Sequence, residues 1–126
     1  MNKIGIHALV WAGSWGAQEC AYAIASSREA GYDLIEFPVF QPRSLDIGAI
    51  TRSLAEHGLS ITCSLGLSFD KDINSSDPDS VARGEQLLND ALSAARDLGS
   101  PYLGGVIFSA LGAYPDMPTD KGRRNS

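Results

Sequence analysis

The 126 residues hold only two cysteines, Cys20 and Cys63. They stand far apart, form no CxxC pair and have no histidine at ligand spacing, so neither a disulfide framework nor a zinc site is legible. They read as two reduced thiols in a cytoplasmic protein, with Cys20 packed on a helix face. Positive charge is scarce too: ten Lys and Arg stand against fifteen Asp and Glu, for a net charge of −5. A chain that binds nucleic acid normally shows a basic stripe, and the one basic cluster, Lys121 with Arg123 and Arg124, reads as solvated. No run approaches the roughly eighteen apolar residues that a membrane-spanning helix needs. Met1 to Val10 carries one charge and no small-residue cleavage pattern, so it is expected to form a first strand and not a signal peptide.

Other signatures are missing as well. No GxxxxGK[ST] phosphate loop is present, and Gly13-x-x-Gly16 lacks a further glycine. Asp70, Asp72, Asp77 and Asp79 lack the glycine and glutamate of a calcium loop, which leaves a solvated connection. Ser64 has no His/Asp pattern beside it, which argues against a nucleophile.

What is present is the balance of a globular protein, 44% hydrophobic and 20% charged. Short β-rich runs alternate with longer amphipathic ones. Strands are predicted over Ile4–Val10, Leu34–Val39, Leu59–Leu67 and Tyr102–Phe108. Helices are predicted over Ala17–Ala30, Asp46–His57 and Asp77–Leu98, the last with Val81, Leu88, Ala91, Leu92, Ala95 and Leu98 in register and with Ser76 as its cap. Each helix runs into a glycine, at Gly31, Gly58 and Gly99, which closes it in the left-handed conformation without a Cβ clash. A strand follows each one within a few residues. The order is β-α-β-α-β-α-β, the repeating unit of a parallel α/β sheet. A closed (β/α)8 barrel needs about 250 residues. The chain therefore carries about three and a half of eight units, over residues 1–112, and residues 113–126 are expected to be an irregular, disordered tail. Such a half barrel would expose two sheet edges and an apolar layer, inviting self-association or a homo-oligomer.

Met1-Asn2-Lys3-Ile4-Gly5-Ile6-His7 followed by Trp11 and Trp15, Ala30-Gly31-Tyr32-Asp33-Leu34-Ile35-Glu36, Leu65-Gly66-Leu67, and Leu98-Gly99 through Gly104-Gly105 arrive in order at suitable spacing. In this they resemble the D-tagatose/D-psicose/L-ribulose 3-epimerases of the xylose-isomerase-like barrel superfamily, up to about Leu111. The tryptophan that some members carry after the fourth strand is missing. The resemblance implies a TIM-barrel isomerase that moves a proton on and off C3 of a free ketose. It also implies a divalent cation, Mn2+, Mg2+ or Co2+, held by two glutamates, an aspartate and a histidine from later strands. On that reading the chain stops before the metal site, contributes no catalytic residue or metal ligand, and is expected to be inactive alone. The alternative is a small non-catalytic α/β module that binds a ligand or partner.

Barrel sites lie at the carboxyl ends of the strands, which sets the candidates. His7 ends strand one, where related enzymes place an aromatic or histidine against the sugar. Trp15 follows in the loop and offers an apolar wall to the C–H groups of a polyol. Glu36 ends an apolar strand and is either paired or turned into the site. Ser64, aligned with a pocket position, would hydrogen-bond the substrate or fill space. All four are expected to bind substrate.

Overall fold

The computed structural model describes residues 2–113 and 120–125. Four parallel strands, β1 (Gly5–His7), β2 (Leu34–Pro38), β3 (Ser60–Leu67) and β4 (Leu103–Ala110), form one sheet in the order β1-β2-β3-β4. Helices α1 (Ala17–Glu29), α2 (Ile47–His57) and α3 (Pro78–Leu98) make the crossovers that parallel neighbours require.

Strand alternation sorts the residues. Ile35 and Phe37 from β2 and Val39 just after it, with Ile61, Cys63, Leu65 and Leu67 from β3, are all buried in one core with Ile24, Ile50, Leu54 and Leu98 from the helices. Burying an aliphatic or aromatic side chain of this kind stabilises by about 1.5–3 kcal/mol. The intervening residues Glu36, Ser60, Thr62 and Ser64 occupy the other face. That face is mixed: Leu34 and Pro38 of β2 share it with the Glu36 carboxylate and the hydroxyl groups of β3. Among the described residues, β1 and β4 each pair on one side only.

The helix ends follow local chemistry. Asp46 caps α2 by accepting the Ala49 N–H at 2.9 Å. Asp77, one residue after the expected Ser76, caps α3 by accepting from the N–H groups of Asp79 and Ser80, each at 3.2 Å. The carboxylate gives each of the two orphan amides an oxygen of its own. Gly31, Gly58 and Gly99 close the three helices at φ of 89°, 61° and 81°.

Three stretches differ from expectation. Ala8–Val10 leave the sheet as a 3-10 turn, because the His7 ring accepts the Leu9 N–H at 3.1 Å and Trp11 N–H donates to Ala8 O at 3.0 Å. In β4 the pairing jumps from Gly66–Val106 to Leu67–Ala110. Gly105 lies just before this irregularity at φ 106°, so close to the Leu65 backbone that no side chain fits. Within 113–126, Asp120–Asn125 form a short helix, α4, and Lys121 Nζ donates to Ser76 O at 2.9 Å. That corrects the expected irregularity for those six residues, while 114–119 lie outside the described residues.

The buried stripe of α3 is built of small residues, Ser80, Gly84, Ala91, Ala94 and Ala95 with Leu98, whereas Leu92 is 54% exposed. At Gly84 a Cβ would stand 2.8 Å from Ile73 Cγ2 and 3.0 Å from the Lys71 carbonyl carbon. At Gly48 in α2 the nearest atom to a Cβ is an Arg52 guanidinium nitrogen at 3.4 Å. Alanine usually stabilises a helix interior over glycine by about 0.5–1 kcal/mol. Gly48→Ala should therefore raise the urea midpoint, while Gly84→Ala should lower stability by about 1–3 kcal/mol through overpacking. A Gly84→Ala protein as stable as the parent would contradict this packing.

Candidate functional site

His7, Glu36 and Ser64 come from three adjacent strands and share the open face. His7 pairs in register with Glu36, and Ser64 stands opposite Pro38, two residues further along β2. His7 Nε2 lies 3.3 Å from Ser64 Oγ and 3.7 Å from Glu36 Oε1. The His7 and Glu36 side chains keep 33% and 41% of their surface exposed. Glu36 therefore lies beside His7 and stays accessible, in a polar cluster across β1 to β3; His7 ends β1, but Glu36 and Ser64 lie within β2 and β3 and not at the strand ends expected for them. Thr62, buried in register beside Glu36, extends the polar floor.

Trp15 does not join this cluster. Its ring packs on Phe37 at a centroid distance of 4.8 Å and an angle of 58°, and Phe37 lies on the helix side of β2. The Cys20 Sγ–H donates to Trp15 O at 3.4 Å and ties the loop to α1. Trp15 lines a groove of about 440 Å³ with Ser14, Pro38, Phe40, Gln41 and Leu45. Pro38 follows Glu36 on the same face of β2, so groove and cluster are neighbours at one end of the sheet. Trp11 packs against the core, with its buried Nε1 lacking a partner among the described residues.

The sequence reading passed over Phe40 and Leu111. A Cβ at Gly66 would stand 3.7 Å from Leu111 Cδ2 and 3.9 Å from Phe40 Cε1, so both side chains lie over Gly66 near the end of β3. They are 44% and 58% exposed and form an apolar rim near Ser64. The signal available was position alone, immediately after a barrel-type strand.

Burial pushes the Cys20 thiol up to about 11, helped by Glu19 and Asp46, and burial also raises Cys63. Both stay protonated at neutral pH and neither faces the open side of the sheet. Among the described residues no group of three or more His, Cys, Asp and Glu side chains is placed to hold a metal ion. His7 and Glu36 are a pair supplemented by a hydroxyl, short of the oxygen-rich set that Mg2+ or Mn2+ takes. The residues present do not fit the family's divalent cation.

Comparison with known proteins adds the lineage. No family model matches the chain. A ketose 3-epimerase of Arthrobacter globiformis is 45% identical over 124 residues, which is 98% of this chain and 43% of that protein. An L-ribulose 3-epimerase of Mesorhizobium japonicum is 40% identical over 94% of this chain and 40% of its own length. The structure of a D-allulose 3-epimerase from Methylomonas sp. in complex with D-allulose superposes with a TM-score of 0.92 at 41% identity, covering 98% of this chain and 43% of that one. The chain is a homologue of ketose 3-epimerases. It spans less than half the length of these epimerases, matching their N-terminal part, and its fold is the corresponding portion of a TIM barrel. The alternative of a free-standing α/β module finds no support in these epimerase relatives.

The raised Cys20 value has a stability consequence with a definite sign. The folded state holds its proton more tightly than the unfolded state, so the contribution is full below pH 9 and is lost as pH rises from 9 towards about 11. Chemical denaturation across that window should show falling stability, with a shallower fall in Cys20→Ala. An unchanged slope in the variant would rule out this origin.

Proposed function

We propose that these residues form one wall of the sugar site of a metal-dependent ketose 3-epimerase. The observation that carries the reading is the convergence of His7, Glu36 and Ser64 on the open face of three adjacent strands. The relatives are named for L-ribulose and D-allulose, which supports a free ketose as the ligand. A sugar hydroxyl both donates and accepts, so a carboxylate beside a hydroxyl can hold it in one orientation. Trp15, with Phe40, offers an apolar flank that excludes water from the C–H side of the chain.

Two groups on opposite faces of C3 are needed to remove a proton and return it with inversion. The side chains of His7, Glu36 and Ser64 do not make up a donor set for a divalent cation, so no proton-transfer step is assigned to them; Mn2+, Mg2+ or Co2+ and its ligands belong to parts of the site that they do not build. The open edges of β1 and β4 favour self-association or a homo-oligomer. No helix among the described residues is long and apolar enough to cross a membrane. Two unpaired cysteines favour the cytoplasm, and the net negative charge speaks against a nucleic-acid partner.

With Mn2+ present, the 126-residue chain alone should not epimerise D-psicose, D-tagatose or L-ribulose above a blank. Fused after residue 113 to the remainder of the Arthrobacter globiformis enzyme, it should support turnover. In that chimera His7→Ala, Glu36→Gln and Ser64→Ala should each lower kcat/KM by about tenfold, the worth of one hydrogen bond made to the ligand by Glu36 or Ser64, or oriented by His7. Turnover by the chain alone, or an active chimera indifferent to all three substitutions, would overturn the proposal.

A further inference from the structure

We propose that the main-chain N–H of Leu9 is a positioning group that fixes His7 as its Nε2–H tautomer and so turns the Ser64 hydroxyl proton towards the ligand. This rests on the reading that the wall faces a sugar, and it assigns which atoms donate and which accept there.

The argument starts from the ring. Leu9 N–H donates to His7 Nδ1 at 3.1 Å. A ring nitrogen that accepts a hydrogen bond carries no proton, so the proton of the neutral imidazole sits on Nε2. Nε2 then donates to Ser64 Oγ at 3.3 Å, the nearer of its two partners, with Glu36 Oε1 at 3.7 Å. A hydroxyl oxygen that accepts from His7 keeps its own proton for another acceptor, and no other side chain or carbonyl among the described residues takes it. The Ser64 O–H therefore serves as an outward donor.

Glu36 completes the pattern. At 3.7 Å its carboxylate is beyond a direct hydrogen bond to Nε2 and keeps lone pairs for a ligand hydroxyl. The wall thus offers one donor, at Ser64, and one acceptor, at Glu36, side by side. His7 orients this pair and does not act as a base. For Nδ1 to take up a proton, the Leu9 N–H would have to leave, releasing the cap of the 3-10 turn at Ala8–Val10. The fixed tautomer is a consequence of the backbone, whereas the Ser64 and Glu36 side chains only read it.

That ordering can be measured. Long-range 1H–15N correlation spectra of the 126-residue chain, with no sugar or metal and at a pH where the ring is neutral, report the tautomer directly. The expected result is a protonated Nε2, with Nδ1 resonating far downfield of it, in the parent and in the Glu36→Gln, Ser64→Ala double variant. A protonated Nδ1 in the parent overturns the proposal, and so does a double variant in which the tautomer flips or becomes mixed. As a second readout, His7→Ala should speed hydrogen exchange at the Leu9 amide several-fold, and an unchanged rate counts equally against the proposal. All these measurements are made without ketose, so a chain that fails to bind sugar leaves the tautomer result standing. A reversed tautomer, in turn, leaves the epimerase reading to its own test.

Discussion

Seven side chains on the helix side of the sheet, Ile35 and Phe37 on β2, Val39 just beyond it, and Ile61 to Leu67 on β3, have almost no contact with solvent. Everything else in the molecule is arranged around that layer. Successive residues of a strand point to opposite faces, so committing these seven positions to the core commits Glu36, Ser60, Thr62 and Ser64 to the other side. Parallel pairing then dictates the crossovers, and three helices on one face satisfy both demands at once. The polar cluster of His7, Glu36 and Ser64 is the counterpart of the buried face, read on the alternate residues.

Close approach is the second constraint. The bend of β4 and the seat of α3 both depend on glycine, through Gly105 against the Leu65 backbone and Gly84 against Lys71 and Ile73. They set β4 against β3 and α3 against the Phe69–Lys71 turn, at opposite sides of the same strand. Leu111 reaches the end of β3 after the irregularity in β4, where it and Phe40 both lie over Gly66. The apolar rim of the site is therefore a product of backbone packing and involves no dedicated motif.

Much of this was legible in the residues. The helix–glycine–strand junctions at Gly31, Gly58 and Gly99 marked three crossovers, and the left-handed φ at each is why glycine was needed. His7 was legible as the end of its strand, whereas Glu36 and Ser64 fall within β2 and β3, and the parallel register puts the three on one face. The turn at Ala8–Val10 was not, because Ala-Leu-Val continues a β-type run and only the His7 ring, accepting a backbone amide, ends it. The placement of Trp15 was not either. A loop residue has no period to follow, and its packing on Phe37 is decided in three dimensions. The stripe of α3 was misassigned at Leu92 because small residues, which carry little hydrophobic signal, occupy the face that packs closest.

Glu36 is the one acidic residue in the four strands. Inverting a carbon centre by proton transfer needs one group to take the proton and another, across the carbon, to return it. On this sheet Glu36 and His7 stand 3.7 Å apart on the same side, so they meet a bound sugar from one direction only. His7, tied to Leu9 and Ser64, has its nitrogens occupied with orientation. Among the described residues, neither has the further carboxylates beside it that would gather a divalent cation. Under the proposed function, the geometry therefore separates two tasks that one site must combine. This sheet orients the hydroxyls of the sugar, and the inversion at C3 requires a second set of groups facing it from across the bound molecule.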